Sequence, residues 1–126
     1  VAVTGVQTCA LPIYLAGTKF NTYRVKYESE LSNPNFRVEI LKRDTSTIDS
    51  TVFTSVPFDT LFSNNFTAAT GNEVYIDMGT SSEKSFTFNL QDELTSGTYR
   101  IVFKLYDNNQ VIDNDIKYVI VKKKVE

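Results

Sequence analysis

Asp113 and Asp115 flank Asn114 and follow closely on Asp107, which makes them the best-spaced set of like donors in the chain. Carboxylates are hard oxygen ligands of the kind Ca²⁺ takes, and a loop that curls several of them inward makes a calcium site. The surrounding residues alternate as a strand does, however. In a strand Asp113 and Asp115 point to the same face, with no curvature to wrap an ion. They are therefore expected to face solvent or to pair with Lys104 across a hairpin. Nucleophilic chemistry has less to work with. The chain has no His and one Cys, Cys9, so Ser-His-Asp and Cys-His systems are excluded, as are zinc sites built on those ligands. The Gly-rich phosphate-cradling motifs are absent. A glycosidase needs two carboxyls held across a cleft, and nothing in the spacing marks such a pair. No catalytic, metal-ligating or cofactor-binding residue is assigned, and the expectation is a non-enzymatic chain without a cofactor.

Three further signals bear on binding. Asn65-Phe66-Thr67 matches the N-glycosylation acceptor pattern, a short match that reads as chance. Seven Tyr could offer sugar-stacking faces; most fall on inward phases, and Tyr75 and Tyr106 are expected outward. Lys122-Lys123-Lys124 reads as a solvated strand end rather than a contact for anionic lipid or nucleic acid. Charge is nearly balanced, 13 basic against 15 acidic residues, with no basic stripe to track a phosphate backbone, so nucleic-acid binding is not expected. No apolar run approaches the ~20 residues that span a bilayer as a helix.

The elements that must position these residues are strands. Tyr, Phe, Val, Ile and Thr are abundant, and no helical i, i+3, i+4, i+7 stripe is sustained. Period-two alternation marks residues 19–28, 36–40, 73–78 and 84–90, with a shorter candidate at 52–56. Asp59 could cap a single helical turn, residues 66–72 read as irregular, and Gly71-Asn72 supplies turn chemistry. The clearest element is the closing hairpin. Tyr99, Ile101, Phe103 and Leu105 alternate with Arg100, Val102 and Lys104, and Asn108-Asn109 suits a tight turn with φ > 0 at both positions. A two-residue turn places Leu105 opposite Ile112, Ile101 opposite Ile116 and Tyr99 opposite Tyr118, with Lys104 opposite Asp113. Asn114 opposite Phe103 then suggests a bulge or local fraying. The expected core is Tyr23, Val25, Phe36, Val38, Ile40, Val74, Ile76, Phe86, Phe88, Tyr99, Ile101, Phe103, Ile116, Tyr118 and Ile120.

Residues 3–13 resemble the conceptual translation of a sequencing-library adapter. On that reading residues 1–13, including Cys9, are an artefactual segment, disordered or loosely attached, and residues 14–126 form one domain with no native cysteine.

About seven strands at turn-punctuated spacing imply an all-β sandwich. The run from Leu94 through Gly97 to Tyr99, with the closing strand at 116–121, resembles the corner and terminal hairpin of bacterial immunoglobulin-like modules of surface proteins. In such sandwiches a Tyr at the start of the penultimate strand bonds back to upstream backbone. The antibody-type Cys two residues after that Tyr is Ile101 here, and Trp is absent, so the resemblance is to a disulfide-free module. It implies an immunoglobulin-like antiparallel β-sandwich at the bacterial cell surface or outside the cell. Its role there would be structural or adhesive within a larger protein, with an unknown protein or glycan as ligand. The alternatives are a carbohydrate-binding module attached to a glycan-active enzyme, and a phage or virion fibre domain.

Overall fold

The computed structural model describes residues 2–4, 13–26, 31–46, 51–78 and 82–123. Among them nine strands are found: β1 (Ala2–Thr4), β2 (Ile13–Leu15), β3 (Lys19–Lys26), β4 (Pro34–Arg43), β5 (Phe53–Val56), β6 (Val74–Ile76), β7 (Glu83–Asn89), β8 (Gly97–Asp107) and β9 (Gln110–Lys122). A 3-10 turn, Phe58–Thr60, follows β5 with Pro57 at its N-cap. Asp59 sits inside that turn and makes no capping hydrogen bond, which corrects the capping role expected for it.

The strands form two sheets. One runs β1-β3-β7 and is antiparallel throughout. The other runs β2-β9-β8-β4-β5, with β6 pairing β4 on the same edge as β5. Every pair in it is antiparallel except β2 with β9. The two sheets close over one core, so the chain is an all-β sandwich. Of residues 1–13, the described pieces are Ala2–Thr4, paired with β3, and Ile13, which opens the strand beside β9.

The core follows from alternation. On β4, Phe36, Val38 and Ile40 point inward with at most 1% exposure, and Tyr99, Ile101, Phe103 and Leu105 do the same on β8. On β7, Phe86 and Phe88, with Leu90 just after the strand, face them from the other sheet. Phe88 is the hub, with ring centroids at 4.9 Å from Phe62, 6.0 Å from Phe66 and 6.1 Å from Phe103. Residues 61–64 lie along the edge of β7 and hold it with backbone bonds, Ser63 N to Asn89 O at 2.8 Å and Gln91 N to Leu61 O at 2.9 Å. Asn64 completes that edge with its side chain, accepting from Asn89 N at 2.8 Å and donating to Thr87 O at 3.1 Å.

The terminal hairpin turns where expected. Asn108 and Asn109 have φ of 51° and 67°, and Asp107 pairs with Gln110. Its register is not the expected one. Tyr106 pairs with Val111 but Leu105 pairs with Asp113, so Ile112 is an extra residue, a β-bulge directly after the turn. A one-residue slip exchanges the two faces of a strand. Ile101 therefore stands opposite Lys117 and Tyr99 opposite Val119, and Lys104 stands opposite Asn114 rather than Asp113. Val119 and Val121 are the inward residues, whereas Ile116 and Tyr118, expected in the core, are 42% and 38% exposed, and Ile120 is only half-buried. The side chains of Tyr23 and Val25 lie outside the described set.

At the other end of β8 the Tyr corner is present. Tyr99 is fully buried and its hydroxyl donates to Thr95 O at 2.6 Å. Gly97 needs no positive φ there; a Cβ on it would come within 3.1 Å of Lys42 Cε. Its value is room for the lysine stem rather than backbone freedom.

Candidate functional site

Residues on β4, β8 and β9 that do not enter the core point to the outer face of the larger sheet, and two arginine-centred clusters form there. The first is built from Arg37 on β4, Tyr106 and Lys104 on β8, Tyr75 on β6, and Glu73 just before it. Cross-strand neighbours share a face, so the pairings Arg37 with Tyr75 and Arg37 with Lys104 fix this grouping. The Arg37 guanidinium lies 3.9 Å from the Tyr106 ring centroid and 5.0 Å from that of Tyr75. Its Nε donates to Asn35 Oδ1 at 2.9 Å. Glu73 is 8% exposed and is contacted on three sides: Arg37 at 3.9 Å, Lys104 at 3.4 Å and the Tyr106 hydroxyl, which donates to it at 3.1 Å. Lys104 also reaches Glu39 at 3.5 Å, and Ser55 Oγ donates to Glu39 at 3.3 Å.

This network joins two acids to two bases. Burial pulls the Lys104 ammonium down, but the Glu39 and Glu73 carboxylates outweigh it and hold its pKa above the ordinary value of 10.5. Burial, with Glu73 beside it, raises the Tyr106 hydroxyl above 10.0. A lysine held charged and a tyrosine held protonated are neither base nor nucleophile near neutral pH. The cluster's chemistry is cohesion. Removing one partner of such a buried group leaves the others uncompensated, which costs about 3–5 kcal/mol where burial is complete.

The second cluster is centred on Arg100. Its guanidinium lies 4.3 Å from the Phe53 ring centroid and 5.3 Å from that of Tyr118, and those two rings meet edge to face at 5.6 Å. Among the described residues Arg100 makes no hydrogen bond and no ion pair, and its Nε is buried without a partner. Leaving such a donor unmade costs about 1–3 kcal/mol.

The acidic residues singled out in the sequence are engaged separately. Asp107 Oδ1 accepts from Asn33 N at 2.7 Å, and Asp113 Oδ1 accepts from Asn114 N at 2.9 Å. Asp115 lies 3.7 Å from Lys117 as an ion pair too long for a hydrogen bond, which leaves its Oδ2 buried without one. The expected Lys104–Asp113 pair does not form, because the bulge at Ile112 moves Asp113 to the inner face. Among the described residues no group of three His, Cys, Asp or Glu side chains is arranged to hold a metal ion.

Asn65 and Thr67 are exposed beside a recess of about 270 Å³ lined by Pro57, Phe58, Asp59, Phe66 and Asn72 among others. Tyr75 faces outward as expected, and Tyr106 is half-buried beneath Arg37. Lys122 and Lys123 are exposed, and Lys123 N donates to Ser96 Oγ at 2.8 Å. No helix among the described residues is long and apolar enough to cross a membrane.

Both arginine clusters escape sequence reading, since Glu73 is 36 positions from Arg37 and nothing local links them. The one available signal is that Arg37, Glu39, Arg100, Lys104 and Tyr106 all fall on the outward phase of confident strands. No protein-family model matches the chain, and no curated protein matches it in sequence.

Proposed function

We propose that the chain is a non-catalytic immunoglobulin-like module of a larger bacterial cell-surface or secreted protein, serving as spacer and adhesive contact. The observation that carries this reading is the unequal finish of the outer sheet face. Around Arg37 the charges are mutually satisfied, which makes a rigid support. Around Arg100 a guanidinium has no acid within ion-pair distance among the described residues, beside the exposed side chains of Ile116 and Tyr118. Strand order supports the immunoglobulin-like assignment: β3 with β7 in one sheet, and β4, β8 and β9 in the other with β2 parallel to β9, closed by a Tyr corner. Bacterial origin and surface location rest on the resemblance of the terminal hairpin alone.

The test is to incubate the purified chain with panels of chromogenic glycosides, esters and peptides. The expected rate equals the buffer control. Turnover that scales with protein and disappears in Glu73→Gln would overturn the reading.

A second reading, a carbohydrate-binding module, is favoured by the recess between the 3-10 turn and residues 64–73. There Phe58 and Phe66 supply aromatic surface, and Asp59, Asn65 and Asn72 supply polar groups. Glycan-array retention that Phe66→Ala abolishes would shift the assignment to it.

A further inference from the structure

Two arginines on one sheet face each lie against two aromatic rings, and among the described residues only Arg37 has an acid beside it. Arg37 lies between Tyr75 and Tyr106, donates from Nε to Asn35 and faces Glu73. Arg100 lies beside Phe53 and Tyr118, whose rings meet each other edge to face, with no hydrogen bond and no carboxylate within ion-pair distance among the described residues. Its Nε is buried without a partner, while its two terminal nitrogens are not fully buried and the residue as a whole is half-buried. Stacking removes most of the rotamer freedom that a surface arginine would lose on binding. What projects is a fixed, planar pair of N–H donors, which matches the two oxygens of a carboxylate.

The border of this fork is largely hydrocarbon; the nearby Glu39, opposite Val102 on β4, is already engaged by Lys104 and Ser55. Leu41 stands across from Arg100 on β4, Val102 is two residues along β8, and Ile116 on β9 is opposite Val102 and 42% exposed. An aliphatic neighbour of the acid would seat there better than the hydroxyl-rich ring of an acidic sugar. Arg and Tyr framed by apolar residues also make the commonest kind of energetic centre in protein–protein contacts.

We propose that Arg100 is the anchor for an Asp or Glu side chain on a partner protein, carried in a segment whose neighbouring residue is aliphatic or aromatic. The proposal rests on the reading of this face as adhesive. It completes on binding the arrangement that Glu73 completes internally for Arg37.

The test is to pan a displayed library of random peptides over the full chain and measure the recovered sequences as synthetic peptides. The expected result is a shared Asp or Glu beside Leu, Ile, Val or Phe, with affinity falling about tenfold or more in Arg100→Lys, which keeps the charge and loses the fork. Arg100→Met supplies the folding control: its thermal midpoint stays at or above the parent's while peptide binding is lost, because no internal salt bridge is broken. Peptides that bind Arg100→Lys as well as the parent but fail on Ile116→Ser overturn the Arg100 anchor and leave the adhesive face standing. No peptide above background overturns both. Competition by oligogalacturonate stronger than by the acidic peptide, and dependent on Arg100, overturns the protein partner in favour of an acidic glycan.

Discussion

Tyr99→Phe isolates the corner that opens β8. The substitution leaves a ring of nearly the same volume at a position with 0% exposure and removes only the hydroxyl, which donates to Thr95 O at 2.6 Å. A net intramolecular hydrogen bond contributes about 0.5–1.5 kcal/mol, and an orphaned buried carbonyl adds up to about 3. Thr95 is exposed, so water can replace the lost donor and the larger penalty does not apply. The expected loss is therefore about 1–1.5 kcal/mol, or about 3–6 °C in Tm for a domain of this size. Tyr99→Ala removes the ring as well and should cost about 3–5 kcal/mol. The chain has no Trp, so urea unfolding is followed by far-UV circular dichroism or tyrosine fluorescence. The slope with denaturant should be unchanged while the midpoint falls. A Tyr99→Phe midpoint within about 0.3 kcal/mol of the parent would refute the clamp and reduce Tyr99 to a packing residue.

Phe103→Ala should cost about 3–5 kcal/mol in the same assay, since the ring is fully buried against Phe88; a loss under about 1 would contradict its inward register. Asn109→Val forces a β-branched residue to a φ of 67° and should cost about 1–2 kcal/mol, read as a lower urea midpoint. Stability should also fall in alkali. Tyr99 by burial, Tyr106 by burial and Glu73, and Lys104 by its two carboxylates all hold protons more tightly folded than unfolded. The unfolded chain gives them up first, so their contribution is complete below pH 10.0, the ordinary tyrosine value, and is lost as pH rises through the folded values. A Tm that holds steady from pH 9 to 12 would contradict this sign.

The legible parts of the fold are those where one phase of a strand is clearly apolar. Phe36, Val38 and Ile40, or Phe86, Phe88 and Leu90, leave no choice of inward face. On β9 both phases carry apolar residues: Ile112, Ile116, Tyr118 and Ile120 on one, Val111, Val119 and Val121 on the other. The even-numbered set looks like the core stripe, and only the bulge at Ile112 decides for the odd-numbered one. A bulge of that kind carries no glycine or proline marker here. Parallel β2 has no signature in the sequence because a three-residue strand, Ile13–Leu15, has too little alternation to register. Charges misled differently. Lys104 and Asp113 invite a cross-strand pair, yet Glu39 and Glu73 claim the lysine from strand β4 and from a loop. Proximity of that sort is set by sheet order, which local spacing does not encode.

The bulge at Ile112 also shapes the open edge of β9. Beyond it β9 presents Asp113, Asp115 and Lys117 toward the interior, where an approaching strand from another molecule would have to cover them. A flat apolar edge invites strand addition from another chain; a bulged edge with inward-pointing charges does not. The residues that break the pattern of the last strand thus make its open edge a poor template for another chain.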